Sequence, residues 1–282
     1  MRDIKRRIRA VTNTQHVTRA MKMVAAAKMR RVQEQVWAAR PYAQKINEVA
    51  GRLALAPEAR GLSLVAPREV KTVGYVLITG DRGLAGAYNS NLIHLAENCL
   101  AREERAVNLV TIGRKGLQYF RQREVEVLEH SVVIQDDMHI SQARDLAREL
   151  MSFFLNGQLD EVNLIYARFH SALHHVALVD RLLPVVTPSL EEAEEIDYIY
   201  EPEAMGILTA ILPRYCEIKV YQALLEAKAS EHSARMIAMD GATSNADEMI
   251  ERLTLSFNKA RQSAITTEIL EVATGAEILK AR

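Results

Sequence analysis

Between residues 4 and 39 the chain repeats steps of four and three. Positions 4, 8, 11, 15, 18, 22, 25, 29, 32, 36 and 39 carry Ile, Ile, Val, Gln, Thr, Lys, Ala, Met, Val, Val and Ala. This is a heptad seam, apolar at both ends and small or polar in its middle. It predicts one long helix from residue 3 to about 56, closed by Pro57 and Gly61. A second seam runs from Leu225 through Ala229, His232, Met236, Met239, Thr243, Ala246, Ile250, Leu253, Phe257 and Ala260, and on through Ala264, Thr267, Glu271, Thr274 and Ile278. Two residues oppose a continuous second helix. Pro213 is expected to kink or restart it, and Gly241, followed by ATSN, costs ~1 kcal/mol. Either seam alone would face water, so the two terminal segments are expected to form an antiparallel coiled coil. At 1.5 Å per residue, ~70 helical residues span ~105 Å, so much of that pair is expected to stand clear of a compact body.

The middle of the chain has another rhythm. VGYVLIT (73–79), VNLVTI (107–112), VEVL (125–128), VNLIYARF (162–169) and ALVDRLLPVV (177–186) read as strands. AYNSNLIHLAENCLARE, KGLQYFRQR and SQARDLARELMSFFL between them read as helices. Strands alternating with helices predict an α/β layer with a mainly parallel sheet, Rossmann-like in type. The last two strands are joined only by HSALHH, too short for a parallel crossover, so an antiparallel edge hairpin is expected. The expected organisation is a coiled-coil helix over 1–58, an α/β domain over 62–190, an acidic linker over 191–204 and a second coiled-coil helix over 205–282.

Composition narrows the function classes. The net charge is zero, but residues 1–40 hold eleven Lys or Arg against Asp3 and Glu34, while 191–203 hold seven acids and no base. The basic helix has few aromatics for stacking on bases, Trp37 being the one in residues 1–40. An acidic protein partner is therefore a better expectation than nucleic acid. Cys99 and Cys216 form neither a disulfide framework nor a metal spacing, which suits a reducing compartment. MRDIKRRIRAV lacks the apolar core of a signal peptide, and no uncharged apolar run approaches the ~18 residues that cross a bilayer. Any membrane association is expected through partners.

One stretch raises the possibility of catalysis or ligand binding. GDRGLAGAYN at 80–89 places Gly80, Gly83 and Gly86 between a strand and a helix. A P-loop needs Gly-Lys-Ser/Thr after its spacer, and here Gly86 is followed by Ala87 and Tyr88. A dinucleotide fingerprint needs G-x-G-x-x-G and an acid near the end of the next strand, which instead ends in Thr111-Ile112-Gly113. A tight structural turn is the expectation, with Asn89 or Ser90 near the helix start. His170, His174 and His175 lack the nearby ligands that would complete a metal set. Asp136 and Asp137 read as an exposed turn. No catalytic constellation, cofactor or metal is expected. In ARQSAITTEI (260–269), Arg261, Gln262, Thr266 and Thr267 share a helix with Ala264, Ile265 and Ile269. As a pattern this is compatible with an ordinary exposed polar face.

Three stretches together carry a family resemblance. TQHVTRAMKMVAAAKMRR at 14–31, GDRGLAGAYN at 80–89, and ASEHSARMIAMDGATSNADEMI with NKARQSAITTEI at 229–269 resemble the gamma subunit of F-type ATP synthases. The resemblance covers the whole chain in order. It implies a non-catalytic rotor shaft, an antiparallel coiled coil turning inside a hexamer of alpha and beta subunits. Its α/β foot is expected beside the epsilon subunit and the c-subunit ring. Ion flow, of protons or sodium, would be coupled to ATP synthesis or hydrolysis. It also implies that Arg261 and Gln262 contact an acidic loop of a beta subunit, that Thr266 shares their face, and that Met21 lies near a beta lever. Gly241 ceases to imply a break. Many members have Cys where this chain has Ala85, and chloroplast members carry an insertion with a regulatory cysteine pair, so thiol control of that kind is not expected. A peripheral location on the cytoplasmic face of a bacterial plasma membrane follows as an expectation. Two other readings stay open on residues alone: a nucleotide-binding α/β protein with a coiled-coil tether, and a passive tether.

Overall fold

A computed structural model describes residues 1–53, 61–66, 68–123, 127–128, 139–185 and 204–280. The expected helix end at Pro57, the turn at Asp136 and Asp137, and the acidic segment 191–203 lie outside these residues. The elements run α1 (Arg2–Leu53), β1 (Thr72–Ile78), α2 (Tyr88–Arg102), β2 (Ala106–Ile112), α3 (Arg114–Phe120), β3 (Val127–Leu128), α4 (Ile140–Leu155), β4 (Glu161–Ser171), β5 (His174–Leu183) and α5 (Ala204–Lys280). Two compact units emerge. One comprises residues 1–24 with 236–282, and the other residues 25–235.

In the larger unit the five strands lie in the order β3-β2-β1-β4-β5. β1 pairs in parallel with β2 and β4, β2 with β3, and β4 with β5 antiparallel, as the short HSALHH connection requires. Alternation decides the faces. Val73, Tyr75 and Leu77 of β1 share one cluster with Leu92, Ile93 and Ala96 of α2 and with Ile165 and Ala167 of β4. The strand order then steps back past β1 to β4, with α4 between β3 and β4 in the chain. α4 buries Ala143, Leu146, Ala147, Leu150 and Phe154, an i, i+3, i+4 stripe. Ala234 of α5 joins the α2 cluster, so the C-terminal helix is part of this core.

α5 is one helix from 204 to 280, and Pro213 neither kinks it apart nor restarts it. Proline in a helix costs ~3 kcal/mol. Leu208, Leu212, Tyr215 and Cys216 around it are all buried, and each large apolar side chain returns ~1.5–3 kcal/mol. Tertiary burial therefore outweighs the local preference. Pro41 is carried within α1 in the same way, followed by buried Ala43, Ile46 and Ala50.

Candidate functional site

The glycine turn sits where this topology places ligands. The strand order reverses between β1 and β4, and the crevice beyond the carboxyl ends of such strands is the usual site. The turn's own bonding closes it. Gly80 N–H donates to Asn89 Oδ1 at 2.9 Å, tying the start of the turn to the start of α2. At the start of α3, the Arg114 amide donates to Asp81 Oδ1 at 3.0 Å, the Lys115 amide to Gly80 O at 3.1 Å and the Gly116 amide to Thr79 Oγ1 at 2.9 Å. Those amides are the ones an anion would seek, and they are engaged by the turn itself. Two glycines are dictated by conformation. Gly113 has φ of 90°, and a Cβ there would overlap the Thr79 carbonyl. Gly86 has φ of 56°.

The crevice is filled by α5. Residues 223–234 of that helix are buried on every side. Within this run the Glu231 carboxylate lies 3.2 Å from Lys228 Nζ and 2.6 Å from Arg235 Nη2, and its side chain is 5% exposed. A Cβ on Gly80 would stand 2.9 Å from Glu231 Oε1, so glycine at 80 is what admits the carboxylate. Arg235 reaches onward to Gly83 O at 3.4 Å, and Tyr88 donates to Ala227 O at 3.0 Å. Ser230 donates to Ala167 O at 3.0 Å and Ser233 to Ala172 O, which fastens the helix across the end of β4. Burial works to raise the Glu231 carboxyl, but Lys228 and Arg235 outweigh it and hold it below the usual carboxylate range. A negative charge held by two cations thus lies beside the turn. Neither periodicity nor motif spacing points to Lys228, Glu231 and Arg235. The available signal was charges at i, i+3 and i+7 inside a run of Ala and Ser, which is unusual for a solvated face.

The expected partner contacts lie in the smaller unit. There α1 and α5 run antiparallel. Thr18 and Thr243 hydroxyls are 2.8 Å apart, Lys22 Nζ pairs with Asp240 at 2.6 Å, and Gln15 bonds Asp247. The residue numbers of each pair sum to 261 or 262. On that register Ile4, Ile8 and Val11 fall level with Phe257, Leu253 and Ile250, and all six are partly buried. The same register ends the seam at Ala260, because α1 begins at Arg2. Ala264, Thr267, Glu271 and Thr274, expected as seam positions, are therefore exposed. Heptad spacing persists in the sequence there, but α1 has no residue left to face it.

Arg261, Gln262 and Thr266 stand at the start of this overhang, and all three are exposed. Thr266 Oγ1 bonds Gln262 O at 2.9 Å, and Arg261 makes no ion pair with a described residue. Next to them Ile265, Ile269, Leu270 and Val272 are 48%, 62%, 60% and 69% exposed. Met21 is partly buried, with Val17 and Val24 exposed one turn either side. It lies level with residue 240, about twenty residues from Arg261, or ~30 Å along the helix. The structure thus brings Arg261, Gln262 and Thr266 together and leaves Met21 at another level. The basic residues Arg2, Lys5, Arg6, Arg7 and Arg9 are exposed, with Arg6 paired to Asp3 at 3.1 Å. His170 and His174 rings are 5.3 Å apart near the β4–β5 turn, and among the described residues no three His, Cys, Asp or Glu are placed to hold a metal.

Comparison with known proteins bears on the whole chain. A family model described as ATP synthase matches residues 1–279. The chain is 60% identical over 280 residues to an ATP synthase gamma chain of Moorella thermoacetica, and 47% identical over 279 residues to one of Desulfitobacterium hafniense. Each alignment covers 99% of both chains. Among solved structures it is similar to a chain of the Tetrahymena thermophila mitochondrial ATP synthase central stalk and c-ring, with 25% identity, a TM-score of 0.59, and 80% and 99% of the two chains covered. A chain of the Euglena gracilis mitochondrial ATP synthase in rotational state 3 shares the fold, with a TM-score of 0.65 over 99% and 94% of the chains at 19% identity.

Proposed function

The chain belongs to the ATP synthase gamma-chain family, and from that premise we propose how its geometry serves a rotor shaft. It is a non-catalytic subunit that turns inside the hexamer of alpha and beta subunits and couples ion translocation to ATP synthesis or hydrolysis. Its further partners are the epsilon subunit and the c-subunit ring. The observation that carries the mechanism is the overhang after Ala260. A helix tip with Ile265, Ile269, Leu270 and Val272 in water is not a stable end state, and an exposed apolar patch of this kind marks a protein interface. Arg261, Gln262 and Thr266 ring the base of that tip. There Arg261 supplies a cation to an acidic loop of a beta subunit, and Gln262 and Thr266 supply hydrogen bonds on the same face. Met21 meets a second beta element at a lower level, with Val17 and Val24 beside it.

Because a single overhang on one helix lacks threefold symmetry, each of three beta subunits meets a different face of the shaft at any moment. Differential contact biases each toward a different nucleotide affinity, and rotation permutes the three. The working segments are the coiled-coil helix 1–58, the α/β foot 62–190, the acidic connection 191–204 and the helix 205–282. Among the described residues no helix is long and apolar enough to cross a membrane. The chain is held peripherally, at the cytoplasmic face of a bacterial plasma membrane, through its partners.

The test is reconstitution with alpha and beta subunits. Arg261→Ala with Gln262→Ala removes hydrogen bonds to charged partners worth ~1.5–3 kcal/mol each. The double variant is expected to assemble at least tenfold more weakly or to hydrolyse ATP with reduced coupling. Unchanged assembly and full coupling would leave only a passive tether.

A further inference from the structure

Glu231 stands in the crevice where an α/β sheet of this order holds an anionic ligand. Its two bonds within α5, to Lys228 and Arg235, would merely support the helix if they lay on its surface. They do not, since the three side chains are between 5% and 11% exposed. The carboxylate also meets the turn. A Cβ on Gly80 would stand 2.9 Å from its Oε1, and Arg235 joins it to Gly83 O at 3.4 Å. The turn it meets is one that needs holding. Leu84 has φ of 60°, a conformation disfavoured for a branched residue with a Cβ, and its side chain is 63% exposed. Ala85, directly after it, is buried in the α2 cluster.

We propose that Glu231 is a positioning residue that clamps the turn 80–86 onto α5, so that turn and shaft helix move as one body. This rests on the rotor-shaft reading, in which a turn that slipped on the helix would lose motion between foot and shaft. The clamp works because the carboxylate stays ionised against Lys228 and Arg235, and charge-assisted bonds in a dry site are about twice as strong as neutral ones. Gly80 is part of the device. A Cβ there stands 2.9 Å from Glu231 Oε1 and forces the carboxylate to shift against its pairs without touching a charge.

Hydrogen exchange on the full chain tests the clamp at the amides of Gly80, Arg114 and Lys115, whose partners belong to the turn or to α2. Glu231→Gln and Gly80→Ala are each expected to speed exchange at these amides by at least about tenfold. Leu150→Ala, a core change in α4, is the control for general loss of stability and is expected to leave them slow at matched melting temperature. In Glu231→Ala, formate at tens of millimolar is expected to restore slow exchange where chloride does not. Unchanged exchange in both turn variants, or an equal rise in Leu150→Ala, overturns the clamp. Failure of the wild-type chain to rotate in a complex with alpha and beta subunits would overturn the rotor reading and leave the exchange result standing.

Discussion

Cys216 lies at 0% exposure in α5, and burial pushes its thiol up to about 12. Cys99 in α2 is half-buried, and burial raises its thiol more modestly. Only thiolate reacts with disulfide reagents, so both effects slow modification. At pH 8 the native chain is expected to expose one slowly reacting thiol, Cys99, with Cys216 silent until denaturant is added. A colorimetric thiol titration with and without guanidinium reads this directly, and fast reaction of two thiols in the native chain would contradict it. The same scale holds the clearest limit on reading residues from sequence. The spacing of Gly80, Gly83 and Gly86 pointed to a tight strand-to-helix turn, and the residues form one that bonds to the starts of α2 and α3. It could not say what the glycines accommodate. At Gly80 that is a carboxylate from α5, while Arg235 reaches the backbone carbonyl of Gly83 across 152 residues. Local sequence does not encode a contact of that separation.

At the scale of elements, the middle of the α1–α5 seam is polar. The hydroxyls of Thr18 and Thr243 are 2.8 Å apart, and each also reaches a carbonyl of its own helix, Gln15 O at 3.0 Å and Met239 O at 2.7 Å. Both residues are buried, and removing one hydroxyl takes the cross-helix contact while leaving the other its carbonyl. Thr243→Val is expected to cost ~0.5–1.5 kcal/mol, and Thr18→Val with Thr243→Val to cost less than the sum of the two single changes, because the pair is lost only once. Denaturant unfolding of the two single variants and the double closes the cycle, and strict additivity would show the pair to be uncoupled. Such a pair trades stability for register, the use a polar seam position has in coiled coils. The seam itself was legible, since every position named from 4 to 39 is partly or fully buried. Helix continuity was less so. Gly241 is exposed with no atom within 4 Å of a Cβ, so it is tolerated at its helix cost, while Pro213 is overridden by the burial around it.

For the whole molecule the decisive length is the difference between the two helices. α5 passes the start of α1 by about twenty residues, and from Arg261 to Thr274 every side chain is exposed. Cutting the chain after Ala260 is expected to leave the thermal midpoint within about 1–2 °C, since little apolar area is lost from the folded state. The truncated chain should also stay monomeric to higher concentration in light scattering, because the apolar tip is gone. A large fall in the midpoint would mean that the tip packs on the chain itself. The exposed apolar side chains of this tip are what the walls of a surrounding hexamer would cover.

Periodicity determined the elements of this protein. Steps of four and three specify two long helices, and alternating strands and helices specify a parallel sheet with one antiparallel edge, because these patterns are set by backbone geometry within a few residues. The family, too, was legible in three short stretches. Tertiary structure alone decided where the second seam stops, what the glycine at 80 makes room for, and which charges of α5 are buried. Each of those depends on which distant residue arrives opposite, and that follows from register and packing that no local pattern contains.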